Sequence, residues 1–382
     1  MASAIPHERL AQIVRDARTR TGVPAVAAGL LVGERLELTA DGSAEVETPF
    51  RIASITKLFT ASLAALTLDL ESPLRDGASA ARLLSHTADL LPNAAGLLPE
   101  PCRGLWSYSN AGYVYAGNAC AAAVGTSFSE AVGERLLEPL QLDRTGFEEP
   151  PGAAPGHIQD GETGHRPTGP VEYPASRRPS GGLWSTVGDL LRFAAHQLGG
   201  PGPLSDAQLH AVHEPRAEAL GGHYCLGCWR RELGGGRTAF DHEGSVGGYQ
   251  SLLLLVPGEK TALAVLTNSW RGSGLIRRVV RDLGLVPATP ADRAVGEQVL
   301  PGRYALGDSV AVLSEHNGRW RVAESETDPL TRTRIARPAY AVDPLCGSVY
   351  GFGGGLLMSH RLDFPRAGIA RVGWTALPAV GS

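Results

Sequence analysis

The chain has 382 residues, 43% of them hydrophobic and 19% charged, the balance of a soluble globular protein of two or three domains rather than a disordered one. A net charge of −4 gives no electrostatic footprint for nucleic acid, and no apolar run reaches the roughly 18 residues of a membrane span. Five cysteines argue against a disulfide framework, and Met1–Arg20 lacks a basic patch followed by an apolar stretch, which reads as no secretory signal and a cytoplasmic location.

In chain order, Pro6 to Arg20 repeats apolar residues at helical spacing (Leu10, Ile13, Val14, Ala17) and predicts an amphipathic helix. Ala25 to Val32 and Glu34 to Thr39 flank a glycine turn and predict a hairpin. Ser54 to Leu70, rich in Ala, Leu and Thr, predicts a buried helix starting near Ser54. Helix starts are marked by Ser127 with Glu130, Thr186 with Asp189 and Ser205 with Gln208, each a capping-box pattern.

Glu148 to Gly182 is dense in Pro and Gly and reads as a long loop, either functional or disordered. Tyr224 to Leu233, Tyr249 to Val256 and Thr261 to Asn268 predict strands, the last two joined by Pro257-Gly258-Glu259-Lys260. Gly274 to Leu283 predicts a helix. The domain reading is 1–286 for a catalytic α/β (α+β) domain, 287–302 for a proline-rich linker, and 303–382 for a small antiparallel β domain.

Arginine outnumbers lysine 33 to 2, and one of the two lysines, Lys57, lies in Ser54-Ile55-Thr56-Lys57. Arginine keeps its proton in a protein, whereas a buried lysine can lose it and act as a base. On a helix, positions i and i+3 share a face, so the Lys57 amine reaches the Ser54 hydroxyl. A second candidate is Tyr108-Ser109-Asn110. There the tyrosine, held partly as phenolate beside a lysine, relays protons, and the Asn110 amide bonds a substrate carbonyl or the lysine. A third is His242-Glu243-Gly244-Ser245. Gly244 permits close backbone approach by a ligand, and the Ser245 amide serves as an oxyanion donor.

The ordered set Ser-x-x-Lys, Tyr-x-Asn, His-x-Gly resembles the serine β-lactamase and penicillin-recognising hydrolase superfamily, nearest its class C, D-aminopeptidase and esterase branch. Pro49-Phe50-Arg51-Ile52-Ala53, Leu83-Leu84-Ser85-His86-Thr87, Gly181-Gly182-Leu183-Trp184-Ser185-Thr186 and Thr267-Asn268-Ser269 agree with it. The resemblance implies an antiparallel sheet flanked by helices. It makes Ser54 the acylated nucleophile, Lys57 its base, Tyr108 the relay, Asn110 a substrate contact and His242 the counterpart of the third-motif cation. It also implies that the Ser54 and Ser245 amides form the oxyanion hole, and that Leu83–Thr87 is structural.

Histidine in place of the lysine of β-lactamases, with Glu243 beside it, favours an esterase or D-amino-acid-related peptidase over a true β-lactamase. The alternatives are an acyltransferase or peptide cyclase releasing a peptide from a carrier protein by aminolysis, and a penicillin-binding sensor that is acylated without turnover. Only 50 residues separate Lys57 from Tyr108, so the helical lobe is trimmed and the site opened to a bulky substrate or partner. No metal or organic cofactor is implied, and the substrate is a small-molecule or peptide acyl donor. Cys225-x-x-Cys228 and His210-x-x-His213-Glu214 read as structural, Gly351 to Gly355 as a turn, and Arg177 and Arg178 as solvated loop charges, with a substrate carboxylate as their alternative partner.

Overall fold

Two apolar layers sandwich an antiparallel sheet, and the sequence of its strands shows why. The structure is a computed structural model. It describes residues 7–286 except 76, 161–163, 170 and 220–221, and then 301–306, 309–317, 319–327, 334–336, 340–343, 348–351, 361–366, 369–372 and 375–380. Ala25–Val32, Tyr249–Val256 and Thr261–Thr267 are near-continuous apolar runs, as strands covered on both faces must be. Side chains alternate between faces along a strand. Val26, Ala28 and Leu30 therefore meet Leu10 and Val14 of helix His7–Thr21 and Ile276 and Val279 of helix Gly272–Asp282. Ala25 and Ala27 join the opposite layer with Phe59 and Phe193. Those two rings stack at 3.8 Å between centroids, tying helix Thr56–Thr67 to helix Val187–Gln197.

The sheet has eight strands in the order Arg35–Gly42, Ala25–Val32, Thr261–Thr267, Tyr249–Val256, Arg237–Val246, Trp229–Leu233, Gly222–Tyr224, Ala217–Ala219. The N-terminal hairpin thus lies beside the C-terminal strands, with Val26 opposite Thr267 and Val32 opposite Thr261. Two expectations change. Tyr224 to Leu233 is a hairpin, not one strand: it turns at Cys225–Cys228, where the Cys225 amide donates to the Cys228 carbonyl at 2.8 Å. Arg237–Val246, which carries His242, is itself a full strand. Its mix of polar and apolar residues hid it.

The predicted caps form. Ser127 and Ser205 close reciprocal boxes, while Thr186 caps in one direction only. Asp189 faces away instead, accepting from the Arg144 amide at 2.9 Å and the Thr145 hydroxyl at 2.8 Å. The long loop holds a hairpin, His157–Asp160 with Gly164–Pro167, and a short helix, Arg178–Gly181.

Beyond residue 300 every strand pairs antiparallel with its neighbours. Gly302–Leu306 also pairs with Thr375–Val380, so among the described residues eight strands close a ring, to which Arg334–Ala336 is appended. Closure removes exposed sheet edges. This barrel covers part of the trimmed lobe: Ile369 and Ala376 pack against Leu98 and Cys102. The Ala376 amide donates to Ser107 Oγ at 3.2 Å. Of the predicted linker over 287–302, residues 287–300 lie outside the described residues and Gly302 already opens a strand; of the predicted turn from Gly351 to Gly355, Gly351 ends a strand and 352–355 lie outside the described residues. Among the described residues no helix is long and apolar enough to cross a membrane.

Candidate active site

Ser54 sits on the 3-10 turn Ala53–Ile55, which feeds helix Thr56–Thr67. Ala53 has φ of 48°, left-handed and costly for a residue with a Cβ. Its neighbours enforce it. The Ile52 amide donates to the Leu183 carbonyl at 3.0 Å, and the Ile52 carbonyl accepts from Ser251 Oγ at 2.9 Å. Gly244 completes the clamp, since a Cβ there would stand 2.2 Å from the Ile52 oxygen. Close approach at Gly244 is therefore made by the nucleophile turn, not by a ligand.

One helical turn on, Lys57 is fully buried while Ser54 is half-buried. Lys57 Nζ lies 3.1 Å from Ser54 Oγ and donates to the Ser180 carbonyl at 2.5 Å. The rings of Tyr108 and Tyr113 stand 4.8 and 5.3 Å from it. Among the described residues no carboxylate pairs with this amine. Burial, and then the Arg177 guanidinium, push the lysine well below its ordinary range. An uncharged amine keeps a lone pair to accept the serine proton.

Tyr108 is buried beside both groups, and burial pushes its phenol far up, with hydrogen bonding to Ser54 opposing. The ring environment thus favours phenol over the expected phenolate. His86, read from sequence as structural, lies with its ring centroid 4.2 Å from that of Tyr108. The Ser109 amide donates to His86 Nδ1 at 3.0 Å and the Ser107 amide to its carbonyl at 3.2 Å. One residue therefore grips the chain on both sides of Tyr108. Because Nδ1 accepts, the neutral ring carries its proton on Nε2.

His242 is buried 6.4 Å, ring to ring, from Tyr108. Its Nδ1 lies 2.6 Å from the Glu243 carbonyl, so Nδ1 carries the proton, and Nε2 accepts from the Tyr224 hydroxyl at 3.1 Å. Burial first and the nearby Lys57 second push it down to about 3. The ring is therefore neutral near pH 7, which corrects the cationic role the resemblance implies. Glu243 alternates to the far face of the strand, where its charge acts on Arg277. Ser245 is exposed and accepts from Gln250 Nε2 at 2.8 Å.

Asn110 opens helix Asn110–Val124, directly after the N-cap Ser109. Its Nδ2 donates to Asn93 Oδ1 at 2.8 Å, and the same oxygen accepts from Arg177 at 3.0 Å. Arg177 is thus tied to the site rather than merely solvated. Tyr173 was also missed: its hydroxyl lies 3.2 Å from Ser180 Oγ and, across Gly181, faces Ala53. Of these groups only His86 had a sequence signal, the Leu-Leu-Ser-His-Thr stretch. Arg177 and Tyr173 sit in a loop without periodicity. Among the described residues no group of three His, Cys, Asp or Glu side chains could hold a metal ion.

This sheet, these helices and a Ser-x-x-Lys pair facing a tyrosine define a β-lactamase-like fold. The Beta-lactamase family model matches residues 10–284, and the chain belongs to that family. A curated relative, penicillin-binding protein 4 of Amycolatopsis lactamdurans, is 25% identical over 332 residues, 70% of this chain and 86% of the relative. The solved structure of SurE aligns over 98% of this chain and 99% of its own at 22% identity, with a TM-score of 0.74; SurE has also been solved with D-Leu. D-amino acid amidase of Ochrobactrum anthropi SV3, solved with D-phenylalanine, aligns over 72% of this chain and 98% of its own at 22% identity, with a TM-score of 0.62.

Proposed function

We propose that the protein cleaves an ester or amide through an acyl-enzyme on Ser54, with a D-configured residue on the acyl donor. The observation that carries this is the Lys57 amine, buried without a paired carboxylate among the described residues and 3.1 Å from a half-buried serine hydroxyl. Such an amine is costly to the fold and suits a general base. In the first step the Lys57 lone pair takes the hydroxyl proton as Oγ forms its bond to the carbonyl carbon. The tetrahedral intermediate places its negative oxygen toward the Ser54 and Ser245 amides, the reading the resemblance supplies. When the bond to the leaving group breaks, that group receives a proton passed from Lys57 through the Tyr108 phenol. Water then attacks the acyl ester as Lys57 takes one of its protons, and Lys57 hands that proton to Ser54 Oγ as the ester bond breaks, which releases the acid and restores both the hydroxyl and the free amine. Asn110, on the rim, bonds the donor. The neutral His242 and Tyr224 hold the far side of the tyrosine.

D-configuration rests on the names above: SurE was solved with D-Leu, and the other neighbour is named a D-amino acid amidase and was solved with D-phenylalanine. Intact-mass spectrometry after incubation with D-aminoacyl anilides, thioesters and cephalosporins tests it. The expected result is an adduct on Ser54 that turns over in the wild type and is absent from Ser54→Ala. Turnover that survives Ser54→Ala would refute the acyl-enzyme.

A second reading has an amine resolve the acyl-enzyme, giving a cyclic peptide or amide. The observation favouring it is that the barrel seats on Ser107 beside Tyr108, which walls the site on that side with a second folded unit. Product analysis with a thioester-linked peptide, the chemistry a carrier protein presents, separates the two: linear acid means hydrolysis, macrocycle means aminolysis.

A further inference from the structure

Burial pushes the basic groups of the site toward their neutral forms, with one exception. It pushes Lys57 well below its ordinary range and His242 down to about 3. Arg177 keeps its proton, as guanidinium does in proteins. It lies on the 3-10 turn Ala175–Arg177, and its carbonyl accepts from Ser180 Oγ at 2.9 Å. Ser180 in turn holds Lys57 through its own carbonyl. The Arg177 guanidinium shares Asn93 Oδ1 with Asn110, so it is anchored to both walls of the site at once. Its sequence neighbour makes the contrast. Arg178 bonds Glu148 at 2.5 Å and Ser129 at 3.0 Å. Among the described residues no carboxylate pairs with Arg177, which is half-buried and spends one nitrogen on an amide oxygen.

A permanent cation fixed near a catalytic lysine, with no counter-ion, repels any proton on that lysine. It is also a fork geometry that matches a carboxylate. We infer that Arg177 is a specificity-determining residue that selects acyl donors carrying a carboxylate near the scissile bond, taking the part that neutral His242 does not. This rests on the acyl-donor reading above, but its test is a binding measurement that needs no turnover. The carboxylate belongs either to the acyl portion or to the leaving group, and two matched pairs of probes separate these.

The first pair is N-succinyl-D-leucinamide against N-acetyl-D-leucinamide. The second is N-acetyl-D-leucyl-D-alanine against its C-terminal amide. Each is titrated calorimetrically into full-length Ser54→Ala, Ser54→Ala with Arg177→Gln, and Ser54→Ala with Arg177→Lys. In one pair the charged member is expected to bind at least about tenfold tighter. Arg177→Gln is expected to bring that ratio to about one, and Arg177→Lys to retain part of it, since charge stays while the bidentate fork is lost. Equal binding within both pairs, no binding of any probe, or a carboxylate preference that survives Arg177→Gln overturns the inference. Circular dichroism of each variant establishes that a lost preference is not a lost fold. Acylation of wild-type Ser54 by a neutral donor is followed separately, so a failed acyl-enzyme and a failed carboxylate site give different results.

Discussion

A buried lysine is a burden a fold carries only where chemistry asks for it. Lys57 is lowered well below its ordinary 10.5, chiefly by burial. Between its folded and unfolded values the unfolded chain binds the extra proton, so at neutral pH this residue subtracts stability, and the loss shrinks as pH rises through 10.5. Lys57→Met, similar in length and free of that deprotonation cost, is expected to raise the melting temperature at pH 7 while removing activity by about a thousandfold or more. Calorimetry and a chromogenic ester assay measure the two effects on one sample. Lys57→Arg is expected to lose as much activity, because arginine keeps charge without basicity. For the wild type, kcat/KM rises with pH as the lysine deprotonates. Removing the Arg177 charge lets the lysine hold its proton longer, so the acid limb of Arg177→Gln is expected at higher pH. An acid limb that stays in place would mean that the guanidinium does not act on the base. At this scale the sequence was informative where residue type limits chemistry: one of only two lysines, spaced to reach a serine. It was silent on the protonation of His242 and on the tie of Arg177 to Asn93, which depend on what the fold brings around them.

At the scale of elements the clamp around the nucleophile turn shows what a glycine and a serine contribute from a distance. A Cβ at position 244 would stand 2.2 Å from both the Ile52 oxygen and Ser251 Oγ. Gly244→Ala therefore pushes the strand off the turn that fixes Ser54. Overpacking of this kind costs about 1–3 kcal/mol, and kcat is expected to fall at least about tenfold, read by steady-state kinetics and thermal melting together. Ser107→Ala acts on the other wall. It removes the acceptor of the Ala376 amide, which leaves a buried donor unpaired at a cost of about 1–3 kcal/mol. Amide exchange in Thr375–Val380 is expected to quicken, with kcat falling more than KM changes because Tyr108 is the next residue. Unchanged exchange would mean that the barrel is held by its apolar contacts alone. Elements with period or cap signals were legible: the amphipathic first helix, the three capped helices, the apolar strands. Arg237–Val246 was not, because its polar and apolar residues mix without a clear period, and neither was the Cys225–Cys228 turn, which lies inside an apolar run that reads as continuous strand.

The whole molecule places two histidines and a lysine, all pushed down by burial, in one aromatic core, and that arrangement has a consequence for stability in acid. His242 falls from the ordinary 6.5 to about 3, through burial first and Lys57 second. His86 is lowered well below 6.5 by burial, Lys57 and His242 in that order. Both stand against Tyr224, whose ring is 4.6 Å from His86 and 6.2 Å from His242. As pH falls below 6.5 the unfolded chain protonates these rings while the folded chain does not, so stability drains away through that window. For His242 alone the full span to about pH 3 is on the order of 5 kcal/mol. The family fold thus predicts a catalytic domain that loosens in mild acid from its active site outward. Thermal melting from pH 8 to pH 4.5 is expected to show a steep fall below 6.5 in the wild type and a shallower one in His242→Asn, which cannot titrate. Hydrogen exchange at pH 5 is expected to quicken first around Tyr108, Tyr224 and His242. Equal slopes in the two proteins would assign the acid transition to groups outside this core.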